Sequence, residues 1–415
     1  MKVQRLVVPL AAAASVYARP LSIPQSSSVT ARSSPNIFNE VLLFDGLAYP
    51  DPSNAANTLL QIQAFVSLRT PDLGIDLAAV TAFINSLGIQ IGNSLSILEE
   101  RIKIWTAIGL PGKAAELTIN GCAGGPVKVK LPKTDGRDLG LVNGVVSLGN
   151  CQAAGELEAV LTPGFLDSRT VKSSVFASPD SGFGVISDID DTIKISNVLD
   201  KLALVKSTFL EEPKPIPGMP ELYSALATSL NNPTFAYLTA SPYQLYPFLN
   251  DFIDTSFSGA KGPLFTQNLT IVDIPEVIDF ITSSNTFEYK TGVVDRLQEM
   301  YPNKKWLLIG DSTQKDPEVY AAAFAKHGPG AIACIWIREV EGADNSAERF
   351  GEIFKDIPQE KVKIFKDSEI SALGFTTKKF KYLGNLPLKE SRLLGGGQIG
   401  SRRVACVPSY QASRH

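Results

Sequence analysis

Three aspartates fall within four residues at Asp188-Ile189-Asp190-Asp191, straight after the apolar run Gly184-Val185-Ile186-Ser187. Carboxylates packed that closely repel one another, and a divalent cation with hard oxygen ligands relieves the repulsion. The run before them predicts a buried strand, with the acids at the tip where open α/β sheets bind ligands. On a strand Asp188 and Asp190 share one side while Asp191 faces away. The bland alternative is a strand leading into an acidic helix start, with Thr192 as a capping neighbour. Three later stretches carry polar groups in an order that one site could use. Thr239 closes the run Thr234 to Leu238 and is followed by Ala240-Ser241-Pro242. Lys290 stands in Phe287-Glu288-Tyr289-Lys290-Thr291-Gly292. Asp311 and Asp316 stand in Gly310-Asp311-Ser312-Thr313-Gln314-Lys315-Asp316, after the strand-like Lys305 to Ile309. Each stretch alone is a weak signal.

The elements that must position these groups alternate from Gly184 onward. Strand-like runs at 184–187, 234–239, 305–309 and 331–337 are separated by helix-like stretches near Pro220, at 244–252, 291–300 and 317–326. That alternation is the signature of a parallel sheet with crossover helices. Upstream, from Ile37 to about Leu161, short β-like runs are divided by Gly, Pro, Asn and Asp. Examples are Glu40 to Phe44, Arg101 to Trp105, Ala115 to Ile119 and Val127 to Leu131, the last alternating apolar with basic residues. Two amphipathic stretches, Thr58 to Arg69 and Leu77 to Leu87, are read as a helical insertion in a β-rich, sandwich-like domain. Gly109-Leu110-Pro111-Gly112-Lys113-Ala114 only mimics a phosphate loop, because its second Gly comes early and Ala114 stands where a metal-holding hydroxyl is required.

The chain has 415 residues, room for two domains, and a net charge of −3 that gives no whole-chain attraction to nucleic acid. His327 and His415 are its two histidines, which argues against Ser-His-Asp or Cys-His catalysis and against His-rich zinc centres. Lys2 and Arg5 precede the short apolar run Leu6 to Val16 and the small-residue site Val16-Tyr17-Ala18, the pattern of a cleaved secretory signal. The resulting division is a signal peptide at 1–18, a disordered leader at 19–35, a β-rich domain at 36–165 and an α/β catalytic domain at 180–375. A basic tail at 376–415, with Lys378, Lys379, Lys381 and Arg402 among its cations, is expected to be disordered, with peripheral contact to anionic lipid as the alternative. No transmembrane segment is expected after signal cleavage. Cys122 and Cys151 bracket a Gly-rich segment and could pair, whereas Cys334, inside an apolar run, is expected to be a buried free thiol. Asn268-Leu269-Thr270 is the one standard glycosylation sequon.

Taken together, the four stretches resemble the haloacid-dehalogenase-like phosphatases, whose motifs are Asp-x-Asp-x-Thr, a Thr or Ser after a strand, a Lys, and Gly-Asp followed by a second Asp. More particularly, Asp188 to Lys194, Leu238 to Leu245 and Gly310 to Tyr320 resemble the catalytic domain of the actin-patch-associated phosphatidate phosphatases. Pro217-Gly218-Met219 and Ile335-Trp336-Ile337-Arg338 support the likeness, which covers roughly residues 180 to 340. Thr313 stands where that family's pattern has Gly. The resemblance implies an HAD-like Rossmannoid sheet with helices on both faces, and phosphatidate as substrate.

The same residues supply a mechanism. Asp188 would attack phosphorus to form an aspartyl-phosphate. Asp190 would protonate the leaving oxygen and then take a proton from the incoming water. Lys290 would neutralise charge on Asp188 and the phosphoryl oxygens, and Thr239 would hydrogen-bond one of those oxygens. Mg2+ is expected on Asp188, Asp311, the main chain of Asp190, and Asp316 directly or through water, since oxygen ligands without histidine favour it over Zn2+. About fifty residues separate Asp190 from Thr239 and Thr239 from Lys290, too few for a large cap, so the site should be open. An open site suits a phosphomonoester at a membrane surface; apolar residues between Phe257 and Ile281, among them Leu264, Phe265 and Ile271, could lean on lipid, although core packing is the commoner reason for them. The expectation is a secreted or secretory-pathway Mg2+-dependent phosphatidate phosphatase. The alternatives are a phosphatase of soluble or protein-bound phosphomonoesters and a non-catalytic secreted binding protein.

Overall fold

The computed structural model describes residues 38–68, 77–136, 140–153, 155–164, 167–268 and 286–374, and the backbone of Thr376–Lys378 and Arg403–Ala405. The expected signal peptide and leader, the Leu269-Thr270 part of the sequon, and Ile271 onward in the lipid-leaning stretch lie outside the described residues.

The first sheet contains β1 (Asn39–Leu43), β2 (Gly46–Asp51), β3 (Asn54–Leu68), β4 (Glu116–Asn120), β5 (Val127–Lys130), β6 (Leu141–Gly149), β7 (Gly155–Leu161) and β8 (Lys172–Ala177). Seven of these strands form one hydrogen-bonded path, β1-β3-β2-β8-β7-β4-β5, and β6 pairs with β3 off that path; the pairing is antiparallel except where β2 meets β8. Helices α1 (Leu77–Ser86) and α2 (Leu95–Ile102) lie between β3 and β4. Two expectations change here. Thr58 to Leu68 is not helical but belongs to the 15-residue strand β3. That strand pairs with β1, β2 and β6 and is buried on both faces along Leu60–Ile62 and Ala64–Ser67, so the polar alternation of a half-exposed strand is missing. Arg101 to Trp105 is not a strand but the end of α2 and the turn after it; Leu98 and Ile102, one helical turn apart, are the apolar residues it buries, beside Arg101. The Cys122–Cys151 disulfide, with Cα atoms 4.8 Å apart, ties the loop after β4 to the loop after β6.

The second sheet is parallel throughout. It contains β9 (Ser181–Asp188), β10 (Thr234–Pro242), β11 (Leu264–Gln267), β12 (Asn303–Asp311), β13 (Ile332–Arg338) and β14 (Val362–Phe365), in the order β11-β10-β9-β12-β13-β14. The helices are α3 (Lys201–Phe209), α4 (Met219–Ser229), α5 (Tyr246–Ser256), α6 (Phe287–Met300), α7 (Asp316–Ala331) and α8 (Ala347–Ile353). Alternate strand residues enter different cores. Val185, Phe235, Tyr237, Leu307 and Ile309 pack with α3, α4 and α5. Ile186, Ala236, Leu238 and Leu308 pack with Val293 and Leu297 of α6 and Val319 and Tyr320 of α7. The sheet is therefore covered by helices on both faces, and each fully buried aliphatic side chain contributes about 1.5–3 kcal/mol. The edge strands β11 and β14, only four residues each, were not expected from the sequence.

Chain direction fixes where a ligand can sit. From β9 the chain steps outward through β10 and β11, then crosses back to β12 on the other side of β9. The strand order reverses at the β9–β12 crevice, and the carboxyl ends flanking it are those of Asp188 and Asp311.

The first sheet and α2 pack through aromatic residues on α5 and the turn before it. Phe44 lies 4.3 Å from Tyr246 between ring centroids, Phe65 lies 5.3 Å from Tyr243, and the Asp45 backbone N–H donates to the Tyr246 hydroxyl at 2.7 Å. The Arg101 guanidinium stacks 3.7 Å over Phe248. Cys334 on β13 is disulfide-bonded rather than a free thiol; neither its apolar run nor its spacing signalled a partner. Within the tail expected to be disordered, Thr376–Lys378 pairs antiparallel with Arg403–Ala405, two short stretches whose Thr and Val residues favour extended backbone.

Candidate active site

Asp188 ends β9, and its Oδ1 accepts a hydrogen bond from Lys290 Nζ at 2.7 Å. The same ammonium donates to Asp316 Oδ1 at 2.5 Å. Lys290 is in the first turns of α6 rather than at a strand end, and it is fully buried. Asp316 opens α7, and its other oxygen accepts from the Asp311 backbone N–H at 3.2 Å. Gly310 permits this approach: a Cβ there would lie 2.5 Å from Asp316 Oδ2 and 2.7 Å from Asp316 Cβ. Asp188, Asp311 and Asp316 each bring a carboxylate oxygen within 4.8 Å of the others, and all three are buried.

The charge balance of this cluster is uneven. Three carboxylates share one ammonium, and Asp188 Oδ2 is buried without a hydrogen-bond partner. Burial, reinforced by the charge of Asp316, holds the Asp188 carboxyl well above the usual carboxylate range. The same two causes push Asp311 up to about 7. Burial alone would lower Lys290, but Asp188, Asp316 and Asp311 outweigh it and keep the amine protonated. Buried oxygen donors with excess negative charge and an unbonded oxygen fit a hard divalent cation.

Asp190 belongs to a second cluster. It lies beyond the end of β9, and its carboxylate accepts from Lys194 Nζ at 3.2 Å, Ser196 Oγ at 2.6 Å, Thr239 Oγ1 at 2.8 Å and Ser241 Oγ at 3.3 Å. Burial would raise its proton affinity; Lys194 and the Ser196 and Thr239 hydroxyls outweigh that and hold it below the usual range. Thr239, expected to face substrate, is therefore bonded to Asp190 in this state. The Asp190 carboxylate is not among the three that converge, which leaves its expected part in metal binding to its main chain.

The loop between the clusters is shaped by Asp191. It adopts a left-handed φ of 56°, and its carboxylate accepts from the backbone N–H groups of Ser196, Asn197 and Val198 at 2.9, 2.8 and 2.7 Å. Arg338 donates to the Asp191 carbonyl at 2.6 Å while its other nitrogens grip Asp367 at 2.7 and 2.8 Å. Thr192 donates to Asp311 Oδ2 at 3.3 Å, tying the two motifs together. Thr313 caps Asp311 Oδ1 through its backbone N–H at 2.6 Å and through its hydroxyl, so a threonine serves where the family's pattern has glycine. Ser196, the Lys194–Asp190 pairing and the Arg338–Asp367 clasp were not anticipated. Only Lys194, four residues after Asp190, carried a local signal, and that was its charge.

Fold and site together define a parallel α/β protein whose buried, metal-competent acidic cluster lies at the carboxyl ends of two adjacent strands. Residues 183–339 match the family model described as "Phosphatidate phosphatase APP1, catalytic domain". The chain is 31% identical over 160 residues to phosphatidate phosphatase APP1 of Saccharomyces cerevisiae, which covers 38% of this chain and 26% of that protein. An uncharacterized protein of Schizosaccharomyces pombe is 27% identical over 190 residues, 44% of this chain and 30% of the relative. The chain thus spans less than a third of either relative's length. A solved ferredoxin-NADP+ reductase from Plasmodium falciparum aligns over 79% of this chain and 95% of its own at 7% identity, with a TM-score of 0.17 that carries no argument.

Proposed function

We propose that this chain is a Mg2+-dependent phosphatidate phosphatase, built on an HAD-like sheet and working through an aspartyl-phosphate on Asp188. One observation carries the reading: Lys290 bridges Asp188 and Asp316 beside Asp311, inside the segment matched to the APP1 catalytic domain. Asp188, Asp311 and Asp316 would hold the ion, with the main chain of Asp190 as a further donor. When bound, the ion neutralises charge between a carboxylate nucleophile and a phosphate dianion.

The protein's own groups divide the remaining work. Lys290 fixes one oxygen of Asp188 and leaves Oδ2 unbonded, so that oxygen is placed to attack phosphorus. As the P–O bond to the glycerol oxygen breaks, Asp190 gives that oxygen its proton, and diacylglycerol leaves. A water then attacks the phosphorus of the acyl phosphate and passes a proton to Asp190, which releases phosphate and restores both carboxyl groups. In the resting state Asp190 is held ionised, so it takes up a proton from solvent as substrate binds, before the P–O bond breaks. Turning the Thr239 hydroxyl from Asp190 to a phosphoryl oxygen removes one of the bonds holding it so, raising its proton affinity when substrate arrives.

The same proposal includes passage through the secretory pathway, supported by the Cys122–Cys151 disulfide and by the disulfide-bonded state of Cys334. No described helix is long and apolar enough to cross a membrane, so substrate in a bilayer would be met by the protein's surface. The test is phosphate release by the purified full chain, with Mg2+ and with a chelator, from phosphatidate in mixed micelles and from a soluble aryl phosphate. Mg2+-dependent release from the lipid alone is expected. Release from the soluble ester alone would replace the substrate, and release from neither would leave a binding protein.

A further inference from the structure

The amino end of β10, on the side of the second sheet opposite the acidic site, lines with the first sheet a cavity of about 860 Å3. Tyr49 of β2, Phe176 of β8 and Phe235 of β10 give it apolar walls, and its volume falls in the range that holds small organic ligands. Ser178 and Thr234 also line it, and behind them lies Lys304, 1% exposed. The Lys304 ammonium donates to Ser178 Oγ at 2.9 Å and to Thr234 Oγ1 at 2.8 Å, with the Tyr301 ring centroid 4.6 Å away. Among the described residues no carboxylate comes within ion-pair distance of it. Asp180, whose carboxylate accepts from Asn303 at 3.0 and 2.5 Å, acts on it from beyond that distance and partly offsets its charge.

Proton counting shows which way this cluster faces. Each hydroxyl accepts from the ammonium, and the two oxygens, 2.5 Å apart, share one hydroxyl proton between them. Among the described residues the remaining proton has one acceptor, the Pro179 carbonyl, at a long 3.4 Å from Ser178 Oγ. A buried cation thus polarises a hydroxyl that borders the cavity and lacks a good acceptor. The charged residues at the cavity rim carry opposite signs and are already engaged: Glu156 accepts from Ser174 Oγ at 2.5 Å and Lys261 pairs with Asp254 at 3.2 Å. Glu156 keeps its negative charge on that rim, and Lys304 is the cation bonded to the two hydroxyls.

We propose that this cavity binds a small monocarboxylate with an apolar body, its head taking the Ser178 hydroxyl proton and balancing the charge of Lys304. One buried ammonium and one spare donor match a singly charged head; a phosphate dianion would leave negative charge and acceptors unmet. The site is separate from the phosphatase reading, which could fail without affecting it.

Thermal melting of the full chain with octanoate, octanol and octanamide tests the proposal, because a ligand that binds the folded state raises Tm. Octanoate should raise Tm in a saturable way while the alcohol and the amide do not. Lys304→Met, an apolar replacement of similar volume, should weaken octanoate binding about tenfold or more, and Ser178→Ala should weaken it to a smaller extent. Melting without ligand and near-ultraviolet circular dichroism report whether each variant is folded. If octanoate gives no shift, if octanol shifts Tm equally, or if folded Lys304→Met binds octanoate as well as the parent, the proposal is overturned.

Discussion

The two ends of the parallel sheet carry opposite charge imbalances. At the carboxyl ends, Asp188, Asp311 and Asp316 share the single ammonium of Lys290. At the amino ends Lys304 is buried among hydroxyls and an aromatic ring, with no carboxylate paired to it among the described residues. Both lysines are almost wholly buried, yet their surroundings move their proton affinities in opposite directions. Three neighbouring carboxylates raise Lys290 despite burial, whereas burial lowers Lys304 to about 8. Burial does not fix the protonation of a lysine; the count of opposing charges around it does.

Breaking the acidic end should have the largest effect. Asp188→Asn keeps the shape of the side chain but removes the nucleophile, and phosphate release should fall by on the order of 10⁴-fold or more. Circular dichroism should show the variant folded; retained turnover would remove Asp188 from its proposed role. Lys290→Met should come next. It leaves Asp188 and Asp316 buried without their shared cation, a change that costs about 3–5 kcal/mol where a buried pair is broken, and urea melts should show it alongside lost activity. Gly310→Ala sharpens the geometry rather than the charge. Its Cβ would press on Asp316, so a loss of about 1–3 kcal/mol is expected, together with weaker Mg2+ binding by isothermal titration.

What the sequence disclosed differs between the two ends for a physical reason. The acids of the carboxyl ends stand immediately after buried apolar runs, and that juxtaposition is local and readable. Their convergence was expected from their order together with the family resemblance, although Lys290 comes from a helix and the Asp190 carboxylate turns away to Lys194 and three hydroxyls. The central strands were legible because both faces are buried, whereas the four-residue strands β11 and β14 are too short to display a period. β3 was hidden because Gln61, Gln63 and Ser67 break Thr58 to Leu68 into neither a continuous apolar run nor a strict alternation. Lys304 was invisible. Its partners Ser178 and Thr234 are 126 and 70 residues away, and none of the three belongs to a motif.

Repeating the methionine replacement at the amino end gives the smallest expected effect and the clearest contrast. Lys304→Met removes a buried charge that has no carboxylate to lose, so stability near neutral pH should stay level or rise, and phosphate release should be unchanged. The sign of its pH dependence follows from linkage. Lys304 has a folded-state pKa of about 8 against an ordinary 10.5, so between those values the unfolded chain holds the proton that the folded chain has released. Stability contributed by this group therefore rises with pH across that window, and the full penalty is felt below it. Urea melts of parent and Lys304→Met from pH 7 to 10.5 should show the variant's advantage shrinking as pH rises. An advantage that grows with pH, or a variant destabilised as severely as Lys290→Met, would mean that a carboxylate does compensate Lys304 and that the two ends are alike.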